Sequence, residues 1–376
     1  MGSGGKAISR REVLAGGLGA GASLVVGSAE AAKALPEIPV FDAREVGLIG
    51  LAKASIAQMK ALLGSCLGPL TPGEFAGVAV ADALAKEWLA NTGTPYAAEL
   101  DAIAALLPQA GVYLLNTAYE WGCTTLAAPA PDRRSARLLR SLDWSFDGLG
   151  RGILAVRQRG PAGDFVNLTW PGAVGVLTAL APGRFAATIN QAPPREGADE
   201  GQLAALMGLG RHFVATSALP PMHLLRSVFE KAANFAEARR LIEATPIAAP
   251  TIFTLVGTAP EETCVIERTE TEHVTHAGTA SAANTWRYAD FRDGWAGRDR
   301  DKQSNSAERR RRIEELGMTG KPFAWVRPPV RNANTRLAVE LDPARGEIRA
   351  RGYERQGDSD DSVPATADLH LVDAPA

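Results

Sequence analysis

Between Gly47 and Leu63 the apolar positions fall at Leu48, Leu51, Ala52, Ile56, Met59, Leu62 and Leu63, a spacing that predicts one helix with Gly64 as its stop. Two more helical stretches follow, from Glu74 to Ala90 and from Pro95 to Leu107, where Pro95 suits a first helical turn. Past Thr124 the pattern shortens. "TTLAAP", "ARLLRSLDW", "GILAVRQRG", "DFVNLTW", "VGVLTALAPG" and "RFAATINQ" are short runs broken by Gly, Pro and Asp, and they predict a series of antiparallel strands. A helical stripe from His223 to Ala244 interrupts them and ends before Pro246. "TIFTLVGTAPEETCVIERTETEHVTHAG" then predicts two strands around a polar turn. A helix from Ser306 to Leu316 and strands near Arg336–Glu340 and Glu347–Tyr353 complete the order, with 356–367 as loop. Helices lead, strands follow, and both recur, which is an α+β pattern rather than alternating βαβ.

Composition narrows the function more than the fold. Of 376 residues 46% are hydrophobic and 22% charged, the make-up of a globular chain, and the net charge of -2 gives no field that would attract nucleic acid. "SAERRRRIEEL" is basic, but Glu314 and Glu315 follow the arginines on a predicted helix, so it reads as a solvated face. His273 and His276 stand three apart on a predicted strand and face opposite ways, which argues against a metal pair. No cofactor is expected. Residues 1–34 read as an address: Arg10 and Arg11 in "SRREVLAGG" precede a weakly apolar run from Val13 to Val26, and "SAEAAKA" offers cleavage after Ala31 or Ala34. This resembles a twin-arginine export signal and implies a periplasmic or extracellular protein, with an uncleaved interfacial anchor as the alternative.

Three cysteines, Cys66, Cys123 and Cys264, are an odd number without a C-x-x-C, so neither a disulfide framework nor structural zinc is expected. Cys66 and Cys264 read as small buried hydrophobes. Cys123 differs in context: in "WGCTT" it follows Gly122 where the helical part gives way to strands. A thiol there can attack the Gly122 carbonyl, because glycine tolerates the backbone strain, and the product is a new chain beginning at Cys123. Its freed α-amine, with a reference pKa of ~7.7–8.0, can take the thiol proton, so nucleophile and base become one residue. Arg140 and Asp143 in "LLRSLDW" lie one hairpin away, a fixed fork of donors and an acceptor that can orient an amine and a carbonyl. A surface ion pair is the plainer alternative for them.

The run "YAAELDAIAALLPQAGVYLLNTAYEWGCTT", then "LLRSLDW", "WPGAVGVLTALAPGRFAATINQ" and "ETCVIERTETEHVTHAGTASAANTW" resembles, in that order, the N-terminal-nucleophile cysteine hydrolases of the acid ceramidase and N-acylethanolamine acid amidase type. The resemblance spans roughly Pro95 to Ser306. It implies a four-layer αββα sandwich, with residues 35–122 a helical prosegment that stays associated and 123–376 the catalytic subunit after cleavage between Gly122 and Cys123. It also implies Cys123 as nucleophile, Arg140 and Asp143 beside it, Asn284 as oxyanion donor, and a late arginine that Arg300 or Arg298 can fill. One departure stands out: Asn190 is followed by Gln191, where some relatives carry an acid. The reaction implied is hydrolysis of a small-molecule N-acyl amide with an apolar acyl group. Acyl transfer of the isopenicillin N type and lipid binding without turnover are the alternatives. The helices of residues 47–107 either pack on the catalytic layers or touch a membrane peripherally.

Overall fold

The helical stripe that begins at Gly47 folds as two helices, α1 (Gly47–Ala54) and α2 (Ile56–Leu67), separated at Ser55. Gly64 does not stop α2. Its cost inside a helix is about 1 kcal/mol relative to alanine, and the buried Leu63, Cys66 and Leu67 around it outweigh that. Helices α3 (Pro72–Asn91), α4 (Ala97–Ala104) and α5 (Val112–Thr117) complete the leading part. The computed structural model describes residues 34–67, 72–117, 122–193, 217–288, 291 and 300–373. The twin-arginine stretch and Arg298 lie outside the described residues.

In chain order the strands are β1 (Val40–Asp42), β2 (Gly122–Pro129), β3 (Ala136–Asp143), β4 (Leu154–Gly160), β5 (Gly163–Thr169), β6 (Thr178–Ala181) and β7 (Phe185–Gln191). After the helices α6 (Pro221–Lys231) and α7 (Phe235–Ala244) come β8 (Thr251–Val256), β9 (Thr263–Arg268), β10 (His273–Ala277) and β11 (Ala280–Ala282). Helix α8 (Arg300–Leu316) leads to β12 (Thr335–Asp342), β13 (Glu347–Arg355), β14 (Ser362–Pro364) and β15 (Leu369–Val372).

Among the described residues these strands form two sheets. The first runs β1-β4-β5-β6-β7-β8-β9-β10, and the second β11-β2-β3-β12-β13-β14 with β15 also on β13. Strands β2 and β3 pack across on β7 and β8, so the sheets stack face to face. Helices α6 and α7 cover the outer face of the first sheet, while α8 lies on β2 and β11 of the second. The order helix, sheet, sheet, helix is the αββα sandwich, an α+β fold. Covered on both faces, β8, β9 and β12 are buried throughout, including the polar side chains of Glu267, Arg268, Arg336 and Glu340.

Several expectations change in detail. The stripe from His223 to Ala244 is two helices, because Asn234 caps α7: its Oδ1 accepts from Glu237 N at 2.9 Å, and Glu237 accepts in return from Ala233 N at 2.9 Å. The two strands read after Thr251 are three, β8 to β10, and the segment read as a tail loop contains β14. Residues 35–122 are not all helical. Strand β1 joins the first sheet parallel to β4, with Val40 opposite Ala155.

A second tie joins the leading helices to the rest. Arg226 on α6 pairs with Glu99 on α4 and with Glu230 at 2.9 Å, and its guanidinium lies 4.0 Å from the centre of the Tyr96 ring. Tyr96 donates to Glu230 at 2.7 Å, and His223 Nδ1 lies 3.0 Å from Thr94 Oγ1. Among the described residues no helix is long and apolar enough to cross a membrane.

Candidate active site

Strand β2 starts at Gly122 and pairs antiparallel with β3, which sets Gly122 opposite Asp143, Cys123 opposite Leu142 and Thr125 opposite Arg140. Because side chains alternate along a strand, Arg140 and Asp143, three apart, leave β3 on opposite faces. They do not act as one pair. Arg140 turns into the space between the sheets, and Asp143 turns toward α8 and the loop before β12.

On the inner face Arg140 is fully buried and its Nη2 lies 3.1 Å from Cys123 Sγ. The guanidinium is held in place by the Leu177 and Ile189 carbonyls, at 2.8 and 3.0 Å, and by Thr178 Oγ1. Cys123 is itself fully buried, with Sγ 3.8 Å from the Ile189 carbonyl. Burial pushes its thiol above the usual range, and the charge and hydrogen bond of Arg140 pull it back. The net direction is up, so the resting sulfur carries its proton.

The outer face organises the backbone of Cys123. Its N–H donates to Asn284 Oδ1 at 2.9 Å, and its carbonyl accepts from Arg309 Nη1 at 2.6 Å. Arg309 also donates to Thr124 Oγ1 at 2.8 Å and to Asn284 Oδ1 at 2.9 Å, and it lies 3.7 Å from Asp143 Oδ2. Asp143 accepts from Asn332 Nδ2 and Thr335 Oγ1, both at 2.8 Å. Burial raises its pKa, while Arg309 and those two donors oppose the rise. Gly122 matters sterically here: a Cβ on it would stand 3.2 Å from Asp143 Cβ and 3.8 Å from Asn284 Oδ1. The first contact is tight, so a side chain here would press on Asp143, while the second is an ordinary van der Waals distance.

Asn284 sits on the turn after β11, whose Ala282 pairs with Thr125 of β2. Its N–H donates to Ser306 Oγ at 2.8 Å and its Nδ2 to the Gln191 carbonyl at 2.9 Å. Gln191 thus enters through its backbone, whatever its side chain, while Asn190 donates to the Ala283 carbonyl at 3.1 Å. The buried Glu267 of β9 supports the same turn, accepting from Tyr288 N at 2.9 Å and from Arg287 N, with His276 Nε2 at 3.1 Å.

The arginine at the site is Arg309, which sequence reasoning missed by reading it as part of a solvated face. Arg300 opens the same helix nine residues earlier, about 13 Å of helix rise away. A signal was present: Ser306, Arg309 and Ile313 recur at helical spacing and are the buried face of α8, at 2%, 5% and 0% exposure. Cys66 and Cys264 are buried in the core, where burial pushes both thiols up to about 12.

Next to Arg140 lies an apolar cleft enclosing about 770 Å³ of open space, its mouth included. Leu177, whose carbonyl the guanidinium holds, is one of its walls. Met59, Leu63 and Leu115 line it from the leading helices, and Trp144, Trp170 and Met222 from the sandwich. The two tryptophans meet edge to face, with ring centres 5.9 Å apart.

Compared with known proteins, the chain matches no family model. It is similar to the acid ceramidase of Bos taurus, 29% identical over 202 residues that make up 48% of this chain and 49% of that one. The chain resembles acid ceramidases. That of Macaca fascicularis is 28% identical over 205 residues, 49% of this chain and 50% of that, so the chain spans about half the length of the curated relatives it matches. Among solved structures it is similar to a Caenorhabditis elegans N-acylethanolamine-hydrolyzing acid amidase ortholog, with 17% identity, a TM-score of 0.46, and 66% of this chain and 100% of that one covered. Penicillin V acylase from Agrobacterium tumefaciens follows with 16% identity, a TM-score of 0.37, and coverage of 61% and 83%.

Proposed function

We propose that this chain is an amidase that cuts its own backbone between Gly122 and Cys123 and then hydrolyses N-acyl amides with an apolar acyl group. One observation carries the proposal: a fully buried thiol lies 3.1 Å from a buried guanidinium while its own backbone N–H and C=O are held by Asn284 and Arg309. The apolar cleft walled by Leu177, whose carbonyl Arg140 binds, supports an acyl chain as the group bound there.

In the precursor, Sγ attacks the Gly122 carbonyl carbon and the Gly122–Cys123 bond breaks. The nitrogen keeps its hydrogen, takes the thiol proton and becomes an α-amine, leaving Gly122 as a thioester on sulfur. Water hydrolyses that thioester to the Gly122 carboxylate and the free thiol. Turnover repeats the chemistry on a substrate amide: the α-amine takes the thiol proton, sulfur attacks, the leaving amine receives the proton, and water releases the acid.

The residues divide that work. Burial keeps the resting thiol protonated, so a base within the same residue is needed. The Arg140 charge favours the thiolate as it forms. Asn284 holds the Cys123 nitrogen and supplies the amide donor for the developing oxyanion, a role typically worth ~2.7–4 kcal/mol. Arg309 holds the Cys123 carbonyl just past the bond that breaks, and Asp143 holds Arg309. Because the relatives are ceramidases, a ceramide is the first substrate to try. Arg10 and Arg11 ahead of an apolar run support action outside the cytoplasm, and cell fractionation of R10K/R11K tests that.

Intact mass of the full chain beside Cys123→Ala tests the proposal, followed by a panel of N-acyl amides that includes a ceramide. The expected result is two fragments meeting at Gly122 in the wild type alone, and amide hydrolysis that needs Cys123. A single uncut chain in both, with no Cys123-dependent loss of amide, overturns it.

A further inference from the structure

Asn116 spends every hydrogen-bonding group of its side chain on one joint. Its Nδ2 donates to Val112 O at 2.9 Å within α5 and to Gly172 O at 3.0 Å across the cleft, and its Oδ1 accepts from Val174 N at 2.8 Å. The side chain is buried, at 5% exposure, and is one of the few polar groups lining an apolar space. A buried amide so fully satisfied fixes two pieces of chain rigidly against one another.

Both pieces matter to the bond proposed to break. On one side is α5, described from Val112 to Thr117. It is held by Asn116 and by Asp82, which accepts from Leu114 N at 2.8 Å. On the other side is the turn at Gly172, whose φ of +88° demands glycine and aims its carbonyl at Asn116. The Val174 peptide is gripped from both ends, its N–H by Asn116 and its carbonyl by Arg226 at 3.1 Å.

Helix α5 ends at Thr117, and Gly122 stands only five residues further on, a tether of at most about 18 Å. We propose that Asn116 is the positioning residue for self-cleavage: by locking α5 to the Gly172–Val174 turn it fixes where the chain enters the Gly122–Cys123 bond. The inference rests on the self-cleavage proposed above. Attack by sulfur on a carbonyl needs the two atoms held close and aligned, and a 1 Å misplacement can cost about 100-fold.

The experiment follows the full-length precursor, made as a pulse by cell-free translation, through its cleavage by intact mass. Asn116→Leu removes all three bonds at similar volume, and Asn116→Asp keeps the acceptor for Val174 N but sets oxygen against the Val112 and Gly172 carbonyls. Ile103→Ala, at a fully buried position of the neighbouring α4 that makes none of the three bonds, supplies a loss of Tm with Asn116 and its partners left in place. Cleavage slowed at least about tenfold in both Asn116 variants, and much less in I103A at matched Tm, is expected. If N116L does not fold, N116D carries the comparison. Asn116 variants that cut as fast as the wild type, or slow no more than I103A, overturn the inference and leave self-cleavage standing. A wild type that never cuts overturns both.

Discussion

The side-chain oxygen of Asn284 stands 2.9 Å from the backbone nitrogen of Cys123, the atom that cleavage would turn into the catalytic amine. In the proposed mechanism one contact would serve both chemistries, first orienting a peptide N–H and afterwards an amine. Asn284→Ala should slow self-cleavage and, in whatever matures, lower kcat on an N-acyl amide by ~10²–10³. Intact mass and steady-state kinetics read the two effects separately. An N284A protein that matures and turns over normally would rule out this role.

Arg309→Ala should be the more destructive change. Arg309 and Asp143 are each only 6% exposed at the side chain, so truncation leaves a buried carboxylate without its cation, at a cost of about 3–5 kcal/mol. A lower Tm together with an uncut chain is expected, with Arg309→Lys recovering part of the Tm but little cleavage, because lysine lacks the fork that reaches Cys123, Thr124 and Asn284 at once. Cleavage in R309K at the wild-type rate would contradict that geometry.

Acid should weaken the seam between α4 and α6 through His223. Burial, aided by the Arg226 charge, lowers its pKa from 6.5 to about 3, so the folded protein keeps the ring neutral where the unfolded chain protonates it. Its contribution is fully present above pH 6.5 and is lost as pH falls toward 3, about 2 kcal/mol of it by pH 5. His223→Asn, which does not titrate, should have lower absolute stability but a flatter dependence between pH 6.5 and 4. Urea unfolding across that range checks it, and identical slopes in the two proteins would remove His223 as the cause.

The cleft makes a prediction about chain length. Leu115→Trp adds bulk to a wall contributed by α5 and should leave short-acyl amides near wild-type kcat/KM while lowering long-acyl amides by at least about tenfold. Hydrolysis of an acyl series by the two proteins measures it. A uniform loss across the series would show that the acyl group binds elsewhere.

Much of the fold was legible because strands such as β3, β5 and β7 are short runs closed by Gly, Pro or Asp, and local chemistry sets their limits. The split between α6 and α7 was also written locally, in the N-x-x-E of Asn234 and Glu237, but the continuous apolar stripe hid it. Strand β1 could not be read, since three residues owe their conformation to β4 more than a hundred positions away. Cys123, Arg140, Asp143 and Asn284 were named from motifs, and the structure brings all four together. Arg309 was concealed by its neighbours: in a run of four arginines only the helical phase set by Ser306 and Ile313 marks the one that turns inward. The joint at Asn116 gave no sequence signal, because its partners are backbone atoms of a distant turn.

The edge strand β1 and the Arg226 seam give the proposed cut a thermodynamic side. While the chain is intact, folding is unimolecular, and an opened molecule finds its own leading segment at high effective concentration. Cleavage at Gly122 would leave two polypeptides sharing one hydrophobic core, and refolding would then require a bimolecular encounter. At high dilution the mature protein would persist because it opens slowly rather than because it re-forms. Maturation would thus be a one-way passage from a molecule that repairs itself to one that lasts only as long as its seam stays closed.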